Sequence, residues 1–246
     1  MKLHPTASAT FGRKLRAWYR ANARDLPWRQ TRDPYRILVS ELMLQQTQVA
    51  RVVPRYHEFL DQYPTLADVA RSSSRRVREA WEGLGYYARA RNLHRVACSI
   101  TSNGREPNRT LPADPIALRA LPGIGPYTAG AVASFAFQRR APLVDTNVAR
   151  VLRRVFAPKL DPKATAGRRA LWELATTLLP RTGQATWTHN QALMELGALI
   201  CTARRPRCTR CPVRAMCRSR RTLELAPSLS GAASWARAAS SPRAGS

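Results

Sequence analysis

Apolar residues recur at helical spacing along most of the chain, and no segment bounded by turn residues alternates apolar and polar positions as a strand would. This periodicity favours an all-α fold. Asp33-Pro34 and Asp114-Pro115 each supply a capping residue and a first-turn proline, and Thr65 with Asp68 resembles a capping box. The predicted helices cover 34–47, 86–103, 126–137, 146–156, 163–179 and 189–202, and Thr10 is predicted to cap an earlier helix.

The charge of the chain points to a polyanionic partner. Lys and Arg number 41 against 15 Asp and Glu, a formal charge of +26. Such a charge repels itself unless a polyanion offsets it, so nucleic acid is the first candidate and an anionic membrane surface the second. No stretch approaches ~18 uninterrupted apolar residues, so a membrane span is not expected. The N-terminus lacks the apolar stretch of a secretory signal, which predicts a reducing, cytoplasmic location.

The C-terminal segment differs in composition from the rest of the chain. Its last residues consist of Ala, Ser, Pro, Gly, Arg, Leu and Trp, and cannot bury enough surface to offset chain entropy. The folded part is therefore predicted to end near residue 222, with 222–246 forming a disordered tail.

Four of the five cysteines crowd into one segment. Cys201, Cys208, Cys211 and Cys217 have the spacing C-x6-C-x2-C-x5-C. In a reduced cell such a group favours metal or iron–sulfur ligation over disulfides. Only one C-x2-C knuckle is present, so zinc is less favoured than a [4Fe-4S] cluster, which takes one thiolate per iron. Free cysteines are the remaining alternative, and Cys98 is interpreted as a small core residue.

Arginines surround these cysteines, with no acidic residue between 201 and 223. On a loop made rigid by a cluster, Arg204, Arg205 and Arg207 would form a surface that binds DNA phosphates. The alternative is a solvated basic face.

Residues 121–131 read LPGIGPYTAGA, between two predicted helices. Gly123 and Gly125 allow a tight turn, and a helix beginning near Pro126 would point its free N–H groups outward. The motif predicts a phosphate clamp that is independent of base sequence, the alternative being an ordinary helix–helix turn.

Two carboxylates occupy unusual positions. Glu41 is flanked by Leu38, Leu42 and Leu44, so it is expected near an apolar helix face, where burial would raise its pKa and keep a proton for general acid catalysis. A surface glutamate is the alternative. Asp145 is predicted to be a helix N-cap, held ionised by backbone donors. A neutral and a charged carboxyl resemble the pair used in glycosidic bond cleavage.

Longer motifs carry a family resemblance. LPGIGPYTAGA, VDTNVARV and the cysteine spacing resemble the helix-hairpin-helix DNA glycosylases of the endonuclease III superfamily. LPWRQTRDPYRILVSELMLQQTQVARVVP and WEGLGYYARARNLH resemble the MutY-type adenine DNA glycosylases within it. The resemblance implies a six-helix module over 25–137 and an iron–sulfur module joining 1–24 to 138–221. Mismatched double-stranded DNA would lie between them, with the target base flipped out.

The same resemblance implies catalytic roles. Glu41 matches the acid that protonates the purine at N7 and later activates water. Asp145 matches the carboxylate that stabilises the sugar oxocarbenium ion, and Asn147 and Tyr127 match residues that support these two. Bifunctional members carry a lysine where Tyr127 stands, and its amine would form a Schiff base with the sugar. The resemblance therefore implies a monofunctional enzyme that leaves an abasic site.

Further positions match residues that contact the DNA. Gln46 and Tyr86 match the wedge that enters the base stack, where a planar amide and an aromatic ring can replace lost stacking. Tyr87 is assigned to helix packing. The positions that match the adenine pocket are Trp28, Arg29, Leu44, Val49 and Gln191.

The sequence departs from the family pattern in places. MutY-type relatives usually carry a further C-terminal domain that inspects 8-oxoguanine, and no segment here matches it, so a shift towards adenine opposite guanine is expected. Thr146 replaces a common glycine and His189 a usual aromatic residue. The first alternative is a thymine or uracil mismatch glycosylase of the same superfamily, and the second a non-catalytic iron–sulfur DNA-binding protein. We expect a bacterial, nucleoid-associated monomer without membrane contact.

Overall fold

The computed structural model describes residues 4–102 and 110–225, and every regular element in these ranges is helical, as predicted. Three short 3-10 turns accompany the α-helices: Pro27–Arg29, Cys208–Arg210 and Arg214–Met216. The α-helices are α1 (Pro5–Asn22), α2 (Pro34–Met43), α3 (Val49–Gln62), α4 (Leu66–Arg71), α5 (Ser74–Glu79), α6 (Ala88–Ser102), α7 (Pro115–Arg119), α8 (Pro126–Phe135), α9 (Thr146–Phe156), α10 (Thr165–Thr177), α11 (Gly183–Leu199) and α12 (Arg220–Leu225).

Side-chain caps begin several of these helices where the sequence predicts them. Asp33 accepts hydrogen bonds from the backbone N–H groups of Tyr35 and Arg36, and Asp114 accepts one from Ala117. Thr65 and Asp68 form the predicted capping box. Each cap satisfies donors that the first helical turn leaves unpaired.

Three helix boundaries differ from the prediction by four residues or more. α1 begins at Pro5, because a proline suits the first helical turn, so Thr10 lies inside the helix rather than at its cap. α2 ends at Met43, four residues before the predicted end, because Gln46 has a left-handed backbone that a helix cannot include. α11 begins at Gly183, six residues early, because the Thr182 hydroxyl caps it.

The tail and Cys98 also depart from expectation. α12 continues to Leu225, past the boundary predicted at residue 222, and residues 226–246 lie outside the described residues. Asn103, the predicted end of the helix at 86–103, lies outside them as well. Cys98 is half-buried, with its Sγ 3.8 Å from Nε2 of His94, rather than a core residue.

Two nearly fully buried helices position the site. Residues 37–43 of α2 and 128–135 of α8 are all buried, and the two helices pack on each other. A helix that is apolar on all sides belongs in the interior. α4 and α5 pack on α6, α7 packs on α8, and α11 contacts α1, α8 and α9. α2, α8, α9 and α11 therefore bring distant parts of the chain to one centre.

Within residues 4–102 and 110–225, no helix is both long enough and apolar enough to cross a membrane.

Candidate active site and cysteine loop

Glu41 is the buried carboxyl of α2. Its side chain is 3% exposed, and its Oε2 atom has no hydrogen-bond partner among the described residues. Burial raises the pKa of Glu41 to about 7, with the Tyr127 hydroxyl lowering it, the charge of Asp145 raising it and Arg29 lowering it. The predicted burial is confirmed, and the surface alternative is wrong. The carboxyl holds a proton near neutral pH and keeps one oxygen free.

Asp145 has the opposite surroundings. It caps α9, as predicted, with Oδ1 accepting a hydrogen bond from the Val148 N–H at 2.6 Å. Its Oδ2 accepts from Nδ2 of Asn147 at 3.0 Å, and Asn147 Oδ1 accepts from Nη2 of Arg150 at 2.7 Å. Both carboxyl oxygens of Asp145 therefore accept hydrogen bonds.

Tyr127 lies on α8 beside both carboxyls. Its hydroxyl donates to Sδ of Met194 at 3.7 Å. Burial, then the charges of Glu41 and Asp145, raise the pKa of Tyr127 well above its usual range. The phenol is therefore a neutral donor at the centre of the site.

A buried ion-pair group, formed by Glu195 with Arg24 and Arg29, lies next to this centre. The sequence patterns did not identify Glu195 or Arg24. Glu195 on α11 is fully buried, and its Oε2 accepts from Nη2 of Arg24 at 2.7 Å and Nη2 of Arg29 at 2.9 Å. Burial alone would raise the pKa of Glu195, but these hydrogen bonds lower it to about 2. Arg29 also donates from Nε to Oε1 of Gln191 at 3.1 Å. The sequence signal that could have indicated Glu195 is its spacing of one helical turn from Gln191.

The remaining residues of the predicted adenine pocket differ in exposure. Trp28 is 7% exposed and packs edge-to-face on Tyr56, with ring centroids 5.5 Å apart. Leu44 and Val49 are half-buried against the core.

Gln46 and Tyr86 lie on neighbouring loops, which we call the first wedge loop (44–48) and the second wedge loop (83–87). Both have left-handed backbones, with φ of 58° at Gln46 and 48° at Tyr86. Such strain at non-glycine residues costs ~1–3 kcal/mol each and persists only where surroundings impose it. Tyr86 is 60% exposed.

The two wedge loops line a shared cleft. Tyr87 also lines it and is 40% exposed, so its assignment to helix packing is wrong. It lies in the turn that precedes α6 rather than on the packed face of the helix.

The turn 121–125 joins α7 to α8, as predicted. Gly123 needs a left-handed backbone, with φ of 74°, whereas Gly125 caps α8 in an extended conformation. A Cβ on Gly123 would lie 2.1 Å from Nδ2 of Asn92 on α6, so only glycine fits there. The first N–H groups of α8 have no side-chain cap at Gly125, which leaves them available to an anion.

Cys201, Cys208, Cys211 and Cys217 line one cavity. Within the described ranges, no three metal-ligating side chains lie close enough together to hold an ion. Burial raises the pKa of Cys211 to about 11, so a thiolate there requires a cation beside it. A set of four thiols around one cavity fits an iron–sulfur group by its donor chemistry.

Two arginines of α9 hold the backbone of this loop. Arg150 donates from Nε to the Cys201 carbonyl at 2.7 Å. Arg154 donates to the carbonyls of Thr202 at 2.6 Å and Ala203 at 2.9 Å. Because Arg150 also donates a hydrogen bond to Asn147, a chain of hydrogen bonds connects Asp145 to Cys201. The predicted phosphate-binding residues Arg204, Arg205 and Arg207 are exposed on the same loop.

Comparison with known families matches two segments of the chain. Residues 39–176 match the HhH-GPD superfamily of base excision DNA repair proteins. Residues 201–217 match the iron–sulfur binding domain of endonuclease III and include all four clustered cysteines.

Individual relatives agree with these matches. The adenine DNA glycosylase of Homo sapiens is 44% identical over 223 residues, covering 87% of this chain and 40% of that protein. The adenine DNA glycosylase of Mycobacterium tuberculosis is 45% identical over 200 residues, covering 81% of this chain and 64% of that protein. The chain thus spans about two fifths of the human relative's length. A solved structure of a thermostable thymine-DNA glycosylase superposes with a TM-score of 0.78 at 31% identity, covering 88% of this chain and 98% of that one.

Proposed function

Because the chain belongs to the HhH-GPD superfamily of base excision DNA repair proteins, we propose that it is a monofunctional adenine DNA glycosylase. It hydrolyses the N-glycosidic bond of adenine mispaired with guanine or 8-oxoguanine and leaves an abasic site. The observation that carries the proposal is the pairing of Glu41, buried with a raised pKa and a free oxygen, with Asp145, whose oxygens both accept hydrogen bonds.

The two carboxyls divide the reaction between them. Glu41 gives its proton to N7 of adenine, which weakens the glycosidic bond, and Asp145 stabilises the positive charge that develops on the sugar. The Glu41 carboxylate then takes a proton from the water that attacks C1′. Asn147 orients Asp145 through the hydrogen bond to its Oδ2, and Tyr127 supports Glu41 as a neutral neighbour. A phenol cannot form a Schiff base, so the strand stays intact.

Recognition of the flipped adenine falls to residues around Glu41. Arg29 and Gln191, joined by a hydrogen bond, present polar groups to the base. Trp28, Leu44 and Val49 supply apolar surface. Gln46 and Tyr86 occupy the space that the base vacates in the duplex.

The duplex lies in a groove between a module over 25–137 and a second module formed by 1–24 and 138–221, and the protein acts as a monomer. Packing of α1 on α11 supports the joining of the N-terminal helix to the second module. The formal charge of +26 offsets phosphate charge, with specific contacts from the 121–125 turn, Arg204, Arg205 and Arg207.

The cofactor is a [4Fe-4S] cluster held by the four clustered cysteines. Bound to these four thiolates, it would cross-link the loop. In Cys208→Ser, the purified protein is expected to lose visible absorption and iron and to bind DNA more weakly. A Cys98→Ser control should keep the visible absorption, the iron and the DNA affinity. Zinc in place of iron in the wild-type protein would contradict the assignment.

Single-turnover base release from four duplexes tests the activity. They carry adenine opposite 8-oxoguanine, adenine opposite guanine, thymine opposite guanine and uracil opposite guanine, with Glu41→Gln as the control. Release of adenine, with strand breaks only after alkali, is expected. Breaks without alkali would contradict a monofunctional enzyme, and DNA binding without release of any base would favour a non-catalytic protein.

The likeness to a thymine-DNA glycosylase favours one second candidate, excision of thymine or uracil opposite guanine. Release of thymine or uracil, with adenine retained, would establish it, and the adenine-pocket assignments would then be withdrawn.

A further inference from the structure

One buried arginine, Arg89 at the start of α6, contacts both wedge loops. Its Nη1 donates to the Gln45 carbonyl in the first wedge loop at 2.7 Å. Its Nη2 donates to the carbonyls of Leu84 at 2.9 Å and Gly85 at 2.8 Å in the second. The Thr47 hydroxyl accepts from Nη2 at 3.3 Å and donates to the Leu84 carbonyl at 3.2 Å. A single guanidinium therefore joins two segments that are distant in sequence.

These bonds act at the two strained residues. The carbonyl of Gln45 precedes Gln46, and that of Gly85 precedes Tyr86, so Arg89 holds the peptide planes that set both left-handed φ angles. Nε of Arg89 donates to the Tyr86 carbonyl at 3.3 Å, and its Cζ lies 5.5 Å from the centroid of the Tyr86 ring. Arg89 thus holds the backbone of both wedge residues and the ring of one.

The same guanidinium also caps the helix that carries Glu41. Nη1 of Arg89 donates to the carbonyls of Leu42 at 2.7 Å and Met43 at 2.8 Å, in the last turn of α2. Carbonyls in a last helical turn have no intrahelical donor. No carboxylate of the described residues lies within ion-pair distance of Arg89, so main-chain carbonyls and the Thr47 hydroxyl accept its hydrogen bonds.

The chemistry of this arrangement requires arginine. Seven acceptors surround a group with five N–H donors in a planar fork, so some donors are shared. Lysine presents three donors at one point on a flexible stem and cannot reach both loops together.

We infer that Arg89 is a positioning residue that fixes the two wedge loops relative to each other, so that Gln46 and Tyr86 enter the base stack as one preformed unit. This inference rests on the proposed function, in which those two side chains fill the space of the flipped base. A preformed wedge lowers the ordering cost of mismatch capture and does nothing for binding that leaves the duplex closed. Loss of Arg89 should therefore weaken mismatch binding selectively.

The test compares Arg89→Lys with a matched control, Arg95→Lys, which changes an exposed arginine of the same helix. Hydrogen–deuterium exchange of the free protein reports on the wedge loops. Dissociation constants, measured in a Glu41→Gln background to prevent excision, compare a duplex containing adenine opposite 8-oxoguanine with a fully matched one. In Arg89→Lys, exchange should rise ~10-fold in both loops together. Mismatch affinity should fall ~10-fold and matched affinity less than ~2-fold. Arg95→Lys should change none of these.

Two results would overturn the inference: exchange that rises in one loop only or in neither, and an equal loss of affinity for both duplexes. If Arg89→Lys does not fold by circular dichroism, Thr47→Val decides. It removes one hydroxyl bridge between the loops. Exchange in both loops should rise ~3-fold, and mismatch affinity should fall ~3-fold with matched affinity unchanged. Wild-type protein that releases no base would refute the proposed function alone, because the exchange measurement judges the link between the loops without DNA.

Discussion

Two glutamates are buried near the centre of the molecule, and their protonation states are opposite. Glu41 is 3% exposed, lacks a partner at Oε2, and has a pKa that burial raises to about 7. Glu195 is fully buried, yet hydrogen bonds from Arg24 and Arg29 overcome the effect of burial and lower its pKa to about 2. Hydrogen-bond partners, rather than depth, therefore decide whether a buried carboxyl can give up a proton. Glu41 can therefore serve as a proton donor, whereas Glu195 stabilises the fold through its ion pairs.

The largest expected effect comes from removing the proton donor. Glu41→Gln should lower the single-turnover rate of adenine release by ~10³-fold, because an amide of the same shape has no acidic proton. Wild-type release should slow as the pH rises through about 7, where Glu41 ionises. Glu173→Gln, at an exposed position of α10, should react normally. A Glu41→Gln variant with wild-type turnover would remove Glu41 from the mechanism.

Glu195 should show the opposite pattern, a large loss of stability. Glu195→Gln leaves Arg24 and Arg29 without their counter-charge, which for a buried pair costs ~3–5 kcal/mol. Urea denaturation at pH 7 measures the loss, and Glu173→Gln, whose ion pair is exposed, should change the unfolding free energy by less than ~0.5 kcal/mol. Similar midpoints for the two variants would mean that the buried group is not a determinant of stability.

Local sequence predicts Glu41 and Asp145 but not the partners of Glu195. The leucines that flank Glu41 in the sequence predict its burial, and the residues adjacent to Asp145 predict that it caps α9. The partners of Glu195 are Arg24 and Arg29, which are 171 and 166 positions away, so no local pattern reports them.

Arg89 is a similar case. In ARARNLH it looks like a solvated arginine, and only the fold brings the carbonyl of Leu42, 47 positions earlier, to its guanidinium. Sequence patterns predicted the chemistry-bearing residues, whereas the residues that hold them in place required the folded chain.

Burial of Glu41 should make the stability of the protein depend on pH. Its folded pKa of about 7 lies above its ordinary value of 4.5, so its contribution to stability is fully present below pH 4.5 and is lost as the pH rises through 7. Glu41→Gln cannot ionise, so its unfolding free energy relative to wild type should rise by roughly 3 kcal/mol across that window. Chemical denaturation at several pH values measures the difference. A constant difference would mean that Glu41 does not keep its proton in the folded protein.

His189 extends the comparison to a base and gives the smallest expected effect. Its ring is fully buried on α11, 6.1 Å from the Phe11 centroid, and both ring nitrogens lack partners among the described residues. Burial, with the charge of Arg16, lowers its pKa to about 3. Stability is therefore present above pH 6.5 and is lost as the pH falls towards 3, because only the unfolded chain takes up the proton.

His189→Phe removes two unsatisfied polar atoms and adds volume, so a gain of ~1 kcal/mol is expected at pH 7. That gain should grow by up to ~1.4 kcal/mol for each pH unit below 6.5. His57→Phe, at an exposed site, is the control for exchanging a histidine for a phenylalanine. Parallel stability curves for wild type and His189→Phe would mean that His189 takes up a proton in the folded protein as readily as in the unfolded chain. Burial would then keep the acid at Glu41 neutral but not the base at His189.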